Sequence, residues 1–152
     1  MIGKIISSGQ TGVDRAALDF ALERGIPCGG SCPKGRLAED GSIPSRYPLV
    51  ETASNRYAER TEKNVETSDG TLILYFGILK GGTLYTREYC EKVKKPFFEI
   101  DLTRIEPDVK KRFAAWAKAN EIRTLNIAGP RESQSPGAHA AARTILEFLY
   151  SD

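Results

Sequence analysis

Ile5-Ile6-Ser7-Ser8-Gly9-Gln10-Thr11-Gly12-Val13-Asp14-Arg15 sets the frame for the rest of the chain. The apolar run Ile5-Ile6 stops at Ser7-Ser8-Gly9 and a helical pattern begins at Val13, so strand, small-residue turn and helix start follow within a few positions. A βα junction of this kind aims unpaired backbone N–H groups and the positive end of a helix at one point, which suits a phosphate or a carboxylate. Gly9 and Gly12 permit positive φ and a close approach of backbone to ligand. Thr11 and Asp14 also stand in the S/T-x-x-D/E relation of a capping box, so an anion site and an ordinary helix start are both open readings. The turn lacks the G-x-G-x-x-G of dinucleotide-binding folds, and no G-x-x-x-x-G-K-[ST] occurs in the chain.

Working outward, Val13, Ala17, Leu18, Ala21 and Leu22 put one apolar face on a helix over residues 13–24, ended by Gly25 with Pro27 beyond. Residues 26–50 are broken by glycine and proline and read mostly as loop. It carries Cys32-Pro33-Lys34-Gly35-Arg36 and Glu39-Asp40-Gly41, with Ile43, Tyr47 and Leu49 as apolar anchors. An ordered flap over the first turn is the expectation. A second helix over about 54–67 aligns Tyr57, Arg60, Thr61 and Asn64 on one face, a polar stripe that bears on function only if it faces the first turn. Thr71–Phe76 reads as a strand covered on both faces, followed by a glycine turn over 77–83 and a helix to about Lys95. Phe97–Asp101 is a strand, and Pro107 opens a helix with Val109, Phe113, Trp116 and Ala117 inward. Thr124–Ala128 is a further strand, running into Gly129-Pro130-Arg131-Glu132-Ser133 and a closing helix to about Tyr150. The alternation predicts one α/β domain with a mainly parallel sheet and helices on both faces. The turns at 7–12, 77–83 and 129–133 are then expected to converge at the carboxyl edge of that sheet.

Composition narrows the classes. Across 152 residues, 22 Lys and Arg face 20 Asp and Glu, and the net charge of +2 is not gathered into a patch, which argues against nucleic acid as partner. No apolar segment approaches a membrane span, and the start of the chain reads as a strand, not a leader. Cys28, Cys32 and Cys90 are an odd number and point to a reduced, cytoplasmic setting. Cys28 and Cys32 do not make C-x-x-C, and His139 is the only histidine, so no protein-ligated metal is expected.

With the three turns in view, Ser8-Gly9-Gln10-Thr11-Gly12-Val13-Asp14-Arg15-Ala16-Ala17-Leu18 resembles the opening motif of the molybdenum carrier family, grouped with the circularly permuted YpsA-like proteins of the SLOG (lysine-decarboxylase-like) superfamily. The resemblance continues through Cys32–Arg36, Ala38–Gly41, Tyr47-Pro48-Leu49, Arg60-Thr61 with Asn64-Val65, Ser68–Ile73, Gly81-Gly82-Thr83 and Leu125-Asn126 to Glu132-Ser133. Ser8 departs from it, standing where a second glycine of Gly-Gly-Gln-Thr-Gly is expected. The resemblance implies a Rossmann-like fold, self-association, and a phosphate-bearing ligand at the glycine turns: molybdenum cofactor (molybdopterin) or a nucleotide. Phosphoribohydrolases of the same superfamily carry Pro-Gly-Gly-x-Gly-Thr-x-x-Glu. Here Thr86 falls at the position of that glutamate, and Glu88 lies roughly 200° further round a helix, so binding is favoured over hydrolysis.

The expected ligand cradle is therefore the backbone of Gly9, Gln10, Thr11 and Gly12, adjoining Ser8, together with that of Gly81, Gly82 and Thr83. Arg15 and Arg131 are read as phosphate clamps beside helix N-termini, against surface ion pairs with Asp14 or Glu132. Lys34 and Arg36 on the long loop are further cationic candidates, Gly129 leads the third turn, and Gln10 and Asn126 offer amides to a base or pterin edge. Asp14 and Glu132 would form an acid/base pair only in an enzyme. Their simpler reading has Asp14 stabilising its own helix start and Glu132 orienting Arg131. The leading expectation is a carrier. The alternative is an enzyme cleaving a nucleotide N-glycosidic or phosphoester bond.

Overall fold

The first strand, β1 (Lys4–Ile6), and the helix it feeds, α1 (Val13–Arg24), begin a β–α alternation in the computed structural model, which describes residues 1–152. There follow β2 (Cys28–Gly29), β3 (Ser31–Cys32), β4 (Leu37–Ala38), β5 (Gly41–Ser42), β6 (Val50–Glu51), α2 (Tyr57–Thr67), β7 (Gly70–Tyr75), α3 (Gly81–Val93), β8 (Phe97–Asp101), α4 (Val109–Ala119), β9 (Thr124–Ala128) and α5 (Ala138–Leu149). Five strands form the main sheet in the order β2-β1-β9-β7-β8, with every pairing parallel. This is the Rossmann-like architecture expected from the alternation and the resemblance.

Parallel neighbours require crossovers, and strand twist makes these right-handed. Moves toward the β2 edge put α1 and α4 on one face, and moves toward the β8 edge put α2 and α3 on the other. The packing agrees: α5 lies against both α1 and α4, while α2 lies against α3. The chain therefore leaves β9 toward one face and the adjacent β7 toward the other. A crevice opens where neighbouring connections diverge in this way, at the carboxyl ends of the strands.

The main core lies under α1, α4 and α5. Ile5, Leu72, Leu74, Leu125 and Ile127 of the sheet meet Val13, Phe20, Ile145 and Leu146, while Ala16, Ala17, Ala138 and Ala142 allow α1 and α5 to approach closely. Trp116 joins it through Phe98 and Phe113, with ring centroids 5.6 and 5.8 Å away. No helix is long and apolar enough to cross a membrane.

One local expectation is refined and another corrected. Residues 26–50 contain four complete two-residue strands and the start of a fifth; β2 extends the main sheet, and Ile43, Tyr47 and Ala38 pack on Leu18 and Cys32 as a second small core. Strands this short leave no period to read. The capping box is also not formed: Gly12 caps α1 without a side-chain bond, Thr11 donates its hydroxyl to Glu39, and Asp14 turns inward to Ser8. Tertiary partners outcompeted the local cap.

Gly12 shows how tightly the turns are joined. Its φ is +80°, and a Cβ there would lie 2.7 Å from Glu132 N and closer still to Pro130 O. Gly25 also has positive φ (+66°) but open space around it. We expect Gly25→Ala to cost about 1 kcal/mol from backbone strain alone, and Gly12→Ala about 3 kcal/mol or more, in urea unfolding. Equal costs would mean that the first and third turns are not in contact.

Candidate functional site

The first and third turns are joined directly. Val13 N–H donates to Pro130 O (3.2 Å), and Glu132 N–H donates to Thr11 Oγ1 (3.1 Å). Gln10 Oε1 accepts both Thr11 N–H (3.0 Å) and Glu39 N–H (2.9 Å). Gly9 carries the side chains of Leu49 and Ile43 against its α-carbon. The first turn is thus packed against the chain through its glycines, while the N–H groups of Gly9, Gln10 and Gly12 have no acceptor and neither glycine lines the cavity described next. Its glycines make room for protein.

The second turn is open. Leu84 N–H is the first in α3 to reach a backbone acceptor, Lys80 O at 3.2 Å, and the N–H groups of Gly81, Gly82 and Thr83 have none. They carry the positive end of a thirteen-residue helix. Facing them is a cavity of about 330 Å³ between α3, the third turn and α2. Its walls include Gln10, Asp14, Arg60, Thr61, Gly129 and Arg131, so turns distant in sequence do converge on one space. Asp14 is the sole acid on these walls, against two arginines.

Arg60 is what ties α2 to the site. Its Nη1 lies 3.3 Å from Asp14 Oδ2 and also donates to Ser8 Oγ, which in turn donates to Asp14. The serine that departs from the expected second glycine therefore bridges the pair. Asp14 is buried, and its Oδ1 and the Arg60 Nε have no hydrogen-bond partner. Burial pushes the Asp14 carboxyl above the usual carboxylate range, opposed by the charge of Arg60, the Ser8 hydroxyl and the nearby Gly129 N–H.

The remaining residues singled out from sequence divide by position. Arg131 stands on the cavity wall, half-exposed, 3.3 Å from Glu39 Oε1. Asn126 is buried at the sheet edge and donates to Thr71 Oγ1 (3.2 Å), in a second small pocket shared with Ser8, Asp14 and Arg60. Arg15 lies off the cavity, bonded to both oxygens of Asp40 (2.5 and 3.2 Å) and to Gly9 O, where it straps the 26–50 segment to the first turn. Arg36 donates to four carbonyls, those of Ile43, Pro44, Tyr47 and Leu49, and holds its own loop together. Lys34 is exposed on that loop and does not reach the cavity. Glu132 accepts from the N–H groups of Gly137 (2.6 Å) and His139 (2.9 Å), so it caps α5 and neither pairs with Asp14 nor orients Arg131. Glu39 takes the Ser133 and Thr11 hydroxyls, which hold its carboxyl below the usual range. The flap is therefore fastened to both the first and third turns.

Tyr57, Thr61, Tyr85 and Gln134 also line the cavity and are not marked as site residues by the sequence. The signal for Tyr57, Arg60 and Thr61 was the polar stripe at helical spacing; its direction was not legible. Thr86, at the position of the superfamily's glutamate, is buried and turns its hydroxyl back to Gly82 O (2.9 Å). No group of three or more His, Cys, Asp or Glu side chains is placed to hold a metal ion.

The family model described as the circularly permutated YpsA SLOG family matches residues 5–150. A crystal structure titled "Putative molybdenum carrier protein" from Syntrophus aciditrophicus SB is 50% identical, covers 99% of this chain and 96% of its own, and superposes with a TM-score of 0.96. No curated protein matches significantly.

Because the folded state holds the Asp14 proton more tightly than the unfolded chain does, the stability this group supplies is present below its ordinary value of 3.8 and is lost as pH rises through the folded value. Asp14→Asn should therefore gain on the parent protein in urea unfolding as pH rises above 3.8, until the folded carboxyl has ionised. Arg60→Gln removes the largest opposing influence, extends that loss to higher pH, and costs on the order of 3 kcal/mol by leaving a buried carboxylate unpaired. A pH-independent offset for Asp14→Asn would show that its carboxyl titrates normally.

Proposed function

The chain belongs to the circularly permuted YpsA SLOG family, and from that premise we propose that it binds and carries a phosphate-bearing small molecule at the carboxyl edge of its sheet. The observation that carries this reading is the pairing of three unsatisfied N–H groups, those of Gly81, Gly82 and Thr83, with a cavity walled by Arg60 and Arg131. A phosphate there would take its hydrogen bonds from a helix N-terminus and have its charge countered by two guanidiniums. The likeness to a protein named as a molybdenum carrier supports molybdopterin as the cargo, and a nucleotide meets the same phosphate chemistry.

Carriage fits the side chains better than turnover. Thr86 offers no carboxylate at the phosphoribohydrolase position, and Asp14 already serves Ser8 and Arg60. Asp14 nonetheless keeps one free oxygen beside the cavity, which is the feature favouring the alternative, hydrolysis of a nucleotide bond.

Titration calorimetry at low salt with inorganic phosphate, nucleoside monophosphates and molybdopterin tests the proposal. Binding is expected, weakened about tenfold by Arg131→Ala and abolished by Gly82→Asp, which puts a carboxylate in the first turn of α3. Silence toward the whole panel would overturn the reading. Release of free base from a nucleoside monophosphate would replace carriage with catalysis.

A further inference from the structure

Two tyrosines stand on the same cavity as the phosphate cradle, one from each of the helices that flank it: Tyr57 at the start of α2 and Tyr85 on α3. They differ in how they are held. Tyr85 is fixed, its hydroxyl donating to Glu62 across the α2–α3 contact. Tyr57 is 44% exposed, and its hydroxyl makes no hydrogen bond within the protein. Arg60 stands over the ring, its guanidinium carbon 5.4 Å from the ring centroid. A half-exposed ring on a cavity wall offers a free apolar face to a ligand. Tyr85 follows Gly81 by one helical turn, about 6 Å along the axis at 1.5 Å per residue, a span that a phosphate ester bridges to an attached ring.

We propose that Tyr57, with Tyr85 opposite, is the stacking platform for a planar heteroaromatic ring whose phosphate lies on the N–H groups of residues 81–83. This rests on the phosphate site proposed above and deepens it. The site selects phosphate esters of flat ring systems over aliphatic esters of equal charge. Because a stacked face carries no donor–acceptor pattern, Tyr57 selects planarity, while the polar groups deeper in the cavity decide between a pterin and a nucleobase.

Calorimetry on the full chain with ribose 5-phosphate, guanosine monophosphate and 6-hydroxymethylpterin phosphate separates the two layers. The aromatic esters should bind about tenfold or more tighter than ribose 5-phosphate, Tyr57→Ala should erase that increment, and Tyr57→Phe should keep it. Affinity for ribose 5-phosphate should be the same in all three proteins. Equal affinities for aromatic and aliphatic esters would overturn the stacking platform and leave the phosphate site standing. A Tyr57→Ala loss shared by ribose 5-phosphate would overturn the platform in the same way. Tyr57-dependent binding of unphosphorylated guanosine with no response to any phosphate would support the platform and overturn the phosphate site. If the larger increment belongs to the pterin ester, the cargo is a pterin; if to guanosine monophosphate, it is a nucleotide.

Discussion

The buried pair of Asp14 and Arg60, bridged by the Ser8 hydroxyl, holds the site in place. It joins α2 to the first βα turn across 46 positions of sequence, and nothing else on α2 reaches that turn with a charge. Without it, the wall of the cavity formed by Tyr57, Arg60 and Thr61 would have no polar anchor on the sheet edge. The pair is enclosed on most sides, so each charge depends on the other for solvation. Asn64, one turn further along α2, adds a second tie by bonding the backbone of Ser31 through both its oxygen and its nitrogen.

The three turns divide the labour unequally. Sequence makes the first look like an anion cradle, because Gly9 and Gly12 sit between a strand end and a helix start. In the fold those glycines serve the packing of one chain segment on another: Gly12 against Pro130 and Glu132, Gly9 against Leu49 and Ile43. Glu39 then clamps the first turn to the third by taking hydrogen bonds from Thr11 and Ser133. With its neighbours fixed in this way, the second turn can leave its N–H groups open. A glycine-rich turn and an anion-binding turn share a sequence signature because both need backbone atoms to come close. What comes close differs.

The same separation runs through the charged residues. Arg15, Arg36 and Arg131 looked alike as cations near glycine turns, yet Arg15 and Arg36 spend their guanidiniums on Asp40 and on loop carbonyls. They make the 26–50 segment an ordered cover over the first turn. Arg131 remains on the cavity wall because its partner Glu39 is shared with two hydroxyls and a backbone N–H.

The sequence by itself determined the α/β alternation, the parallel sheet, the helix over Val13–Arg24, the strands Phe97–Asp101 and Thr124–Ala128, and the meeting of three turns at one edge. These follow from local periodicity and from the geometry of a parallel sheet, in which every βα turn emerges at the carboxyl ends of the strands. It also carried the family motifs in order along nearly the whole chain. Only the tertiary structure decided which turn aims its N–H groups at the cavity, that Asp14 faces Arg60 instead of its own helix start, that Glu132 caps α5, and that the stripe on α2 points into the cavity. For Asp14 and Arg60 the outcome is a competition between a local partner and a distant one. The distant partner wins where burial strips water from the pair, and burial is a property of the assembled fold.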